Sequence, residues 1–301
     1  MNPASGPVEG RWSDGRPRTG ERSPVGRVAL VAAMAEEVAV LRSRLTEARP
    51  RRLGDREIVE GRLDDTPVVL LVTGDGARNA RQGLSSLLVA SDGASTIARL
   101  IVVGIAGALS PHLRPGELVV AERVVHADRG LGRPGLWSDG AWVARVARRA
   151  GAEPAVVVTA GRIADSVAEK QRLRELATEA GATGTAKAAA AAVVDLESAI
   201  HAELAVEAGI PWLVLRAVSD TASEALPELL NRARDDGGAV RRGQVLRGLL
   251  GNPRALPRLL ALRGRLGQCA ERLSHAISRE VLAGPPPEGM DLELGTASEG
   301  A

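Results

Sequence analysis

Four short stretches hold residues that could do chemistry: Glu36-Glu37, Gly74-Asp75-Gly76, Asp195-Leu196-Glu197 and Ser219-Asp220. Carboxylates held in different surroundings can divide the work of proton donor and proton acceptor. Each stretch alone also has a plainer reading. Acids in a first helical turn complement the helix dipole, glycines after a strand make a turn, and Ser-Asp can cap a helix. Other chemistries lack their residues. His126 and His201 have no His or Cys at ligand spacing, so neither a metal nor another cofactor is expected. No GxSxG marks a hydrolase elbow. The run Gly104-Ile105-Ala106-Gly107 lacks the GxGxxG spacing of a dinucleotide site. Residue types alone stop at an enzyme with acidic loops.

These stretches fall where α/β proteins build sites. Apolar runs at Val28–Ala33, Val68–Thr73, Leu100–Gly104, Glu117–Val125, Ala155–Val158 and Trp212–Ser219 read as strands buried on both faces. Helical patterns follow at Ala35 to about Leu45 and Ala77 to about Ala90, and another, Glu197–Ala208, precedes the last strand. The alternation predicts a three-layer α/β domain over 27–235 with helices on a central sheet. Ligands of such sheets bind beyond the carboxyl ends of strands, and that is where the acids stand.

The flanks differ. Residues 1–26 and 284–301 are rich in Gly, Pro, Ser and charge and read as disordered tails. Residues 236–283 read as a basic amphipathic helical extension. From Val240 to Arg279 there are nine Arg and one acid, Glu271, between leucines spaced three and four apart. The chain has 301 residues, a net charge of +2 and 45% hydrophobic residues, enough for a sizeable core and no argument for nucleic acid. One cysteine, Cys269, cannot form an internal disulfide, and the first residues carry no apolar run of a secretory signal; both fit a cytoplasmic protein.

In order along the chain, these motifs resemble the nucleoside phosphorylase and nucleosidase superfamily. VALVAAMAEEV at 28–38 resembles that family's first strand and AMEEE turn. VVGIAGAL at 102–109 with LRPGELVV at 113–120 resembles its TGSAGGL…VGDIVV block. VDLES at 194–198 and RAVSD at 216–220 resemble its VDMES and RAISD blocks. The resemblance implies a mixed, barrel-like sheet and a set of roles. Glu37 would activate the attacking water. Glu197 would accept hydrogen bonds from the ribose hydroxyls. Asp220, oriented by Arg216 and Ser219, would protonate the leaving purine at N7. Ile105, Ala106 and Gly107 would line the pocket near the ribose, and Leu196 would pack under the sugar. A purine anion leaves poorly, so an acid lowers the barrier, and burial favours the protonated form that Asp220 needs. Glu37 marks the hydrolytic branch, because a carboxylate repels phosphate; Arg78 keeps phosphorolysis as the lesser alternative. The family's base-stacking Phe has no counterpart in TAGRIAD at 159–165, where Ile163 stands instead; Trp137 and Trp142 are the aromatic alternatives.

Within the superfamily, Thr159–Leu173 and the Arg/Leu-rich 247–277 segment resemble the hopanoid-associated branch. That resemblance implies an adenine nucleoside linked to a lipid, adenosylhopane, with peripheral contact at the inner membrane surface through 240–279. Nucleosidases for methylthioadenosine, S-adenosylhomocysteine or futalosine are the alternatives. Relatives imply a homo-oligomer and a small-molecule partner.

Overall fold

The computed structural model describes residues 26–91, 96–128, 135–182, 191–232 and 256–284. The expected tails, apart from Gly26 and Gly284, and all of 236–255 lie outside the described residues.

The strands are β1 (Arg27–Ala32), β2 (Thr46–Leu53), β3 (Arg56–Leu63), β4 (Thr66–Val72), β5 (Ile97–Ala108), β6 (Leu118–His126), β7 (Leu136–Trp137), β8 (Glu153–Thr159), β9 (Ala191–Asp195) and β10 (Trp212–Asp220). The helices are α1 (Ala39–Ser43), α2 (Ala77–Val89), α3 (Gly140–Ala150), α4 (Val167–Ala182), α5 (Ser198–Glu207), α6 (Leu229–Arg232), α7 (Leu256–Ala276) and α8 (Arg279–Leu282). A 3-10 turn, Ala35–Val38, joins β1 to α1 and replaces the first turn of the helix expected there.

All strands form one mixed sheet. Five of them close on themselves: β5 pairs with β10, β10 with β6, β6 with β8, β8 with β9, and β9 returns to β5. The long β5 also pairs with β1, and the sheet then runs open through β4 and β3 to β2. The structure is thus the mixed, barrel-like α/β arrangement that the resemblance implied.

Side-chain alternation explains why helices cover both faces of the open part. Ala29 and Val31 of β1 enter one core cluster with α2 and α5. Val28, Leu30 and Ala32 enter another with α1, α3, α7 and α8. Successive strand residues point to opposite faces, so an all-apolar strand requires cover on both. Helix α4 packs Leu173, Ala177 and Ala180 over β8 and β9 in a third cluster. Helix α7 contributes Cys269, Leu273 and Ala276 to the core while Arg263 and Arg272 face outward. No described helix is long and apolar enough to cross a membrane.

Candidate active site

The site grows from the carboxyl end of β1. There the 3-10 turn carries two adjacent acids in different directions: Glu36 is exposed and Glu37 is buried at 5% exposure. Burial would be costly for a carboxylate without donors. Glu37 has three. Its Oε2 accepts from the Ala33 and Met34 amides at 3.1 and 2.9 Å, and its Oε1 from the Ile105 amide at 2.9 Å. Burial raises its proton affinity above the ordinary carboxylate range. The Arg216 guanidinium and the Met34 and Ile105 amides oppose that rise, and Asp75 adds to it.

Glu197 arrives from the opposite side of β5. Gly107 and Ala108 pair antiparallel with Val194 and Val193, so the chain leaving β9 runs back along Gly104–Gly107. Glu197 is the residue before α5, yet its side chain caps nothing there. Its Oε1 accepts instead from the Gly76 amide at 2.7 Å, across 121 residues of sequence. Gly76 has φ +88°, in the region that favours glycine, and this turn aims its N–H into the site. Burial, then the neighbouring Asp195, push the Glu197 carboxyl up to about 8; the Gly76 amide and Arg216 pull the other way. At neutral pH this carboxyl carries its proton and can donate as well as accept.

Arg216 stands between the two glutamates. It is 1% exposed, its Nη2 lies 2.6 Å from Asp195 Oδ2, and the same nitrogen donates to Ser198 Oγ at 2.8 Å. This corrects the expectation that Arg216 orients Asp220: its guanidinium is committed to Asp195. Gly104, paired with Arg216 across β10–β5, makes the arrangement possible. A methyl at position 104 would lie 2.0 Å from Arg216 Nη1 and 2.8 Å from Glu37 Oε1. His201, one helical turn beyond Glu197, is fully buried; burial and Arg216 drive its pKa down to about 3, so it is neutral.

Asp220 ends β10, three positions further along β5, opposite Gly107. With about 3.3 Å per strand residue, that is about 10 Å of backbone beyond Gly104, the position that Glu37 and Arg216 crowd. A methyl on Gly107 would lie 3.1 Å from Asp220 Oδ2. The Ser219 hydroxyl donates to Asp220 Oδ1 and lies 3.2 Å from the Ala106 carbonyl, so Ser219 does meet the acid. The other oxygen, Oδ2, is ion-paired to Lys170 Nζ, which also donates to the Thr221 and Glu224 carbonyls at 2.7 and 2.9 Å. Sequence reasoning missed Lys170. It noticed residues 169–173 as part of a family segment and saw nothing to separate this lysine from a surface charge.

The remaining expected residues fall as follows. Leu196 helps line a cavity of about 460 Å³ together with Thr159, Ala160, Arg78, Arg81 and His126. None of the three carboxylates is in its wall. Two of its lining residues, His126 and Arg81, are bridged by Glu203 at 3.0 and 3.1 Å. Ile163 lies in the loop after β8, where its amide donates to Asn231 Oδ1 and its carbonyl accepts from Asn231 Nδ2. The two tryptophans considered for stacking are placed elsewhere. Trp142 is fully buried under α8 and donates its indole N–H to the Val281 carbonyl at 3.0 Å. The Trp137 ring is covered by Arg123 at 4.9 Å from its centroid.

This fold and these motifs have known counterparts. The profile of the phosphorylase superfamily matches residues 27–250, and the chain belongs to that superfamily. Among its sequence relatives is the 5′-methylthioadenosine/S-adenosylhomocysteine nucleosidase of Geobacillus kaustophilus, 33% identical over 214 residues, covering 66% of this chain and 86% of the relative. The fold matches the Streptococcus pneumoniae enzyme of the same name, in complex with 8-aminoadenine, at a TM-score of 0.64 and 18% identity, covering 86% of this chain and all of that one. It also matches the futalosine hydrolase of Helicobacter pylori at a TM-score of 0.63 and 17% identity, covering 86% and 98%.

Proposed function

We propose that this chain is a purine nucleosidase that uses water to cleave the N-glycosidic bond of an adenine nucleoside. The observation that carries the reading is Glu37, a buried carboxylate held by three backbone amides beside Glu197. In this reading Glu37 takes a proton from the attacking water. Glu197, protonated near neutral pH, donates to one ribose hydroxyl and accepts from the other. Asp220 delivers a proton to the base. As the bond breaks the sugar gains positive charge, and the Glu37 carboxylate stabilises it. The Glu37 carboxylate with Asp75 nearby repels phosphate, which favours water. The relatives named for methylthioadenosine and S-adenosylhomocysteine support adenine as the base.

The group on the 5′ carbon separates two finer readings. The named relatives favour a small thioether, methylthioadenosine or S-adenosylhomocysteine. The resemblance of 159–173 and 247–277 to the hopanoid-associated branch favours adenosylhopane, and α7 keeps Leu260 at 57% exposure with Arg263 and Arg272 outward, a surface that suits anionic lipid. One assay tests all of these. The protein is mixed with methylthioadenosine, S-adenosylhomocysteine, futalosine, or adenosylhopane in anionic vesicles, with and without phosphate, and free base is followed by chromatography. Adenine release without phosphate is the expected result, and the substrate turned over fastest fixes the 5′ group. Release only with phosphate replaces hydrolysis by phosphorolysis, and no release from any substrate refutes the proposal.

A further inference from the structure

The Lys170 side chain is costly where it stands. It is 1% exposed, and burying an ammonium carries a large desolvation penalty unless it is fully paired. It also lies at the start of α4, where a cation opposes the helix dipole. Neither burial nor helix preference selects lysine here. What fits it is the set of three oxygens around Nζ: Asp220 Oδ2, the Thr221 carbonyl and the Glu224 carbonyl. An ammonium has three donors and all three are used. The neighbours hold this geometry from the other sides. Arg265 of α7 grips the Glu224 carboxylate in a bidentate pair at 2.6 and 2.7 Å, the Cys269 thiol donates to the Val218 carbonyl, and Ser219 engages the second oxygen of Asp220.

We propose that Lys170 is the proton source for Asp220, so that the acid acting on the leaving base is a lysine–aspartate pair. This rests on the assignment of Asp220 as that acid. A carboxylate paired with an ammonium has no proton of its own to give, whereas the pair together holds one that can move. When the bond from the sugar to the base breaks, its electron pair stays on the base. Asp220 takes a proton from the Lys170 ammonium, which is left as an amine, and passes that proton to a ring nitrogen of the base. The proton lost by the attacking water ends on Glu37. Exchange with solvent after product release returns a proton to Lys170 and removes one from Glu37, so the cycle balances. Lys170 touches Asp220 and not the substrate; it is a positioning and proton-supplying residue.

The test compares two leaving groups in the full-length enzyme. Lys170→Met keeps the length of the side chain and removes the proton. Lys170→Arg keeps the charge on a group that holds its protons too tightly to give one up. Each is assayed on an adenine nucleoside that the wild type cleaves and on p-nitrophenyl riboside, whose leaving group departs as a stabilised anion without a proton. The expected result is a loss of roughly 10²–10⁴-fold in kcat on the adenine nucleoside, the range of general acid catalysis, with KM little changed and near wild-type rates on the nitrophenyl substrate. Equal losses on both substrates show a merely structural lysine and overturn the proposal. So does a Lys170→Arg enzyme with wild-type kcat on the adenine nucleoside, which decides the matter if Lys170→Met does not fold. A wild type that releases no adenine sinks the parent reading and this one with it; a wild type that is active while its variants show no leaving-group difference sinks this one alone.

Discussion

Replacing Glu197 with Gln removes one titration and leaves the shape of the site intact. In the folded chain burial and Asp195 raise the Glu197 carboxyl from 4.5 to about 8. Between those values the folded state holds a proton that the unfolded chain has lost. Stability must therefore fall as pH rises through this window, because the native state binds more protons than the unfolded one. Each pH unit is worth about 1.4 kcal/mol, so wild-type Glu197 contributes a loss of about 4 kcal/mol between pH 5 and pH 8. Glutamine cannot titrate, and its carbonyl can still accept from the Gly76 amide that now meets Glu197 at 2.7 Å. Denaturant unfolding of both proteins from pH 5 to 8.5 isolates the effect, since every other group titrates in both and cancels in the difference. The variant should gain on the wild type by a few kcal/mol toward pH 8.5. Parallel stability curves across that range would falsify the assignment of Glu197 as a buried, protonated carboxyl at neutral pH.

Two further predictions follow from packing. Gly104→Ala places a methyl 2.0 Å from Arg216 Nη1 and 2.8 Å from Glu37 Oε1; displacing Glu37 by about an ångström should lower kcat by roughly 10²-fold, seen in steady-state assays of a variant whose circular dichroism matches the wild type. Trp142→Ala empties a fully buried site under α8 and removes the indole bond to Val281. That should cost about 3–5 kcal/mol and lower Tm by roughly 10 °C in a thermal scan, with kcat/KM unchanged for the folded fraction.

What the sequence revealed divides along lines of burial and distance. The strands that carry Glu37 and Asp220 are apolar throughout and could be read directly, and the acids lie where such strands end. Strands β2 and β3 escaped because β2 reads TEARPRRL and is exposed along almost its whole length; no periodicity announces a strand held mainly by pairing with β3. Strand β9 escaped for the opposite reason. Ala191 and Ala192 continue an alanine run that favours helix, and only burial between β8 and β5 makes it a strand. The partners of the acids were hidden by separation. Gly76 reaches Glu197 across 121 residues and Lys170 reaches Asp220 across 50, distances over which composition and spacing carry no signal. The partner of Arg216 was hidden in the same way: the resemblance implied that it orients Asp220, whereas its guanidinium meets Asp195 and Ser198.

The sheet is closed at one end of its strand order and open at the other. Ring closure through β5, β10, β6, β8 and β9 pairs those strands with one another, whereas the open run through β1, β4 and β3 ends on a bare border, the outer side of β2. A bare border is a template on which another chain can add a strand. Here that border carries Arg49, Arg51 and Arg52 with Pro50 among them, all exposed. Proline cannot donate to an incoming strand, and a row of like charges repels a second copy of itself. Strand β2 thus carries the features that oppose strand addition at this border, and neutral residues in place of those arginines should lower solubility rather than catalysis.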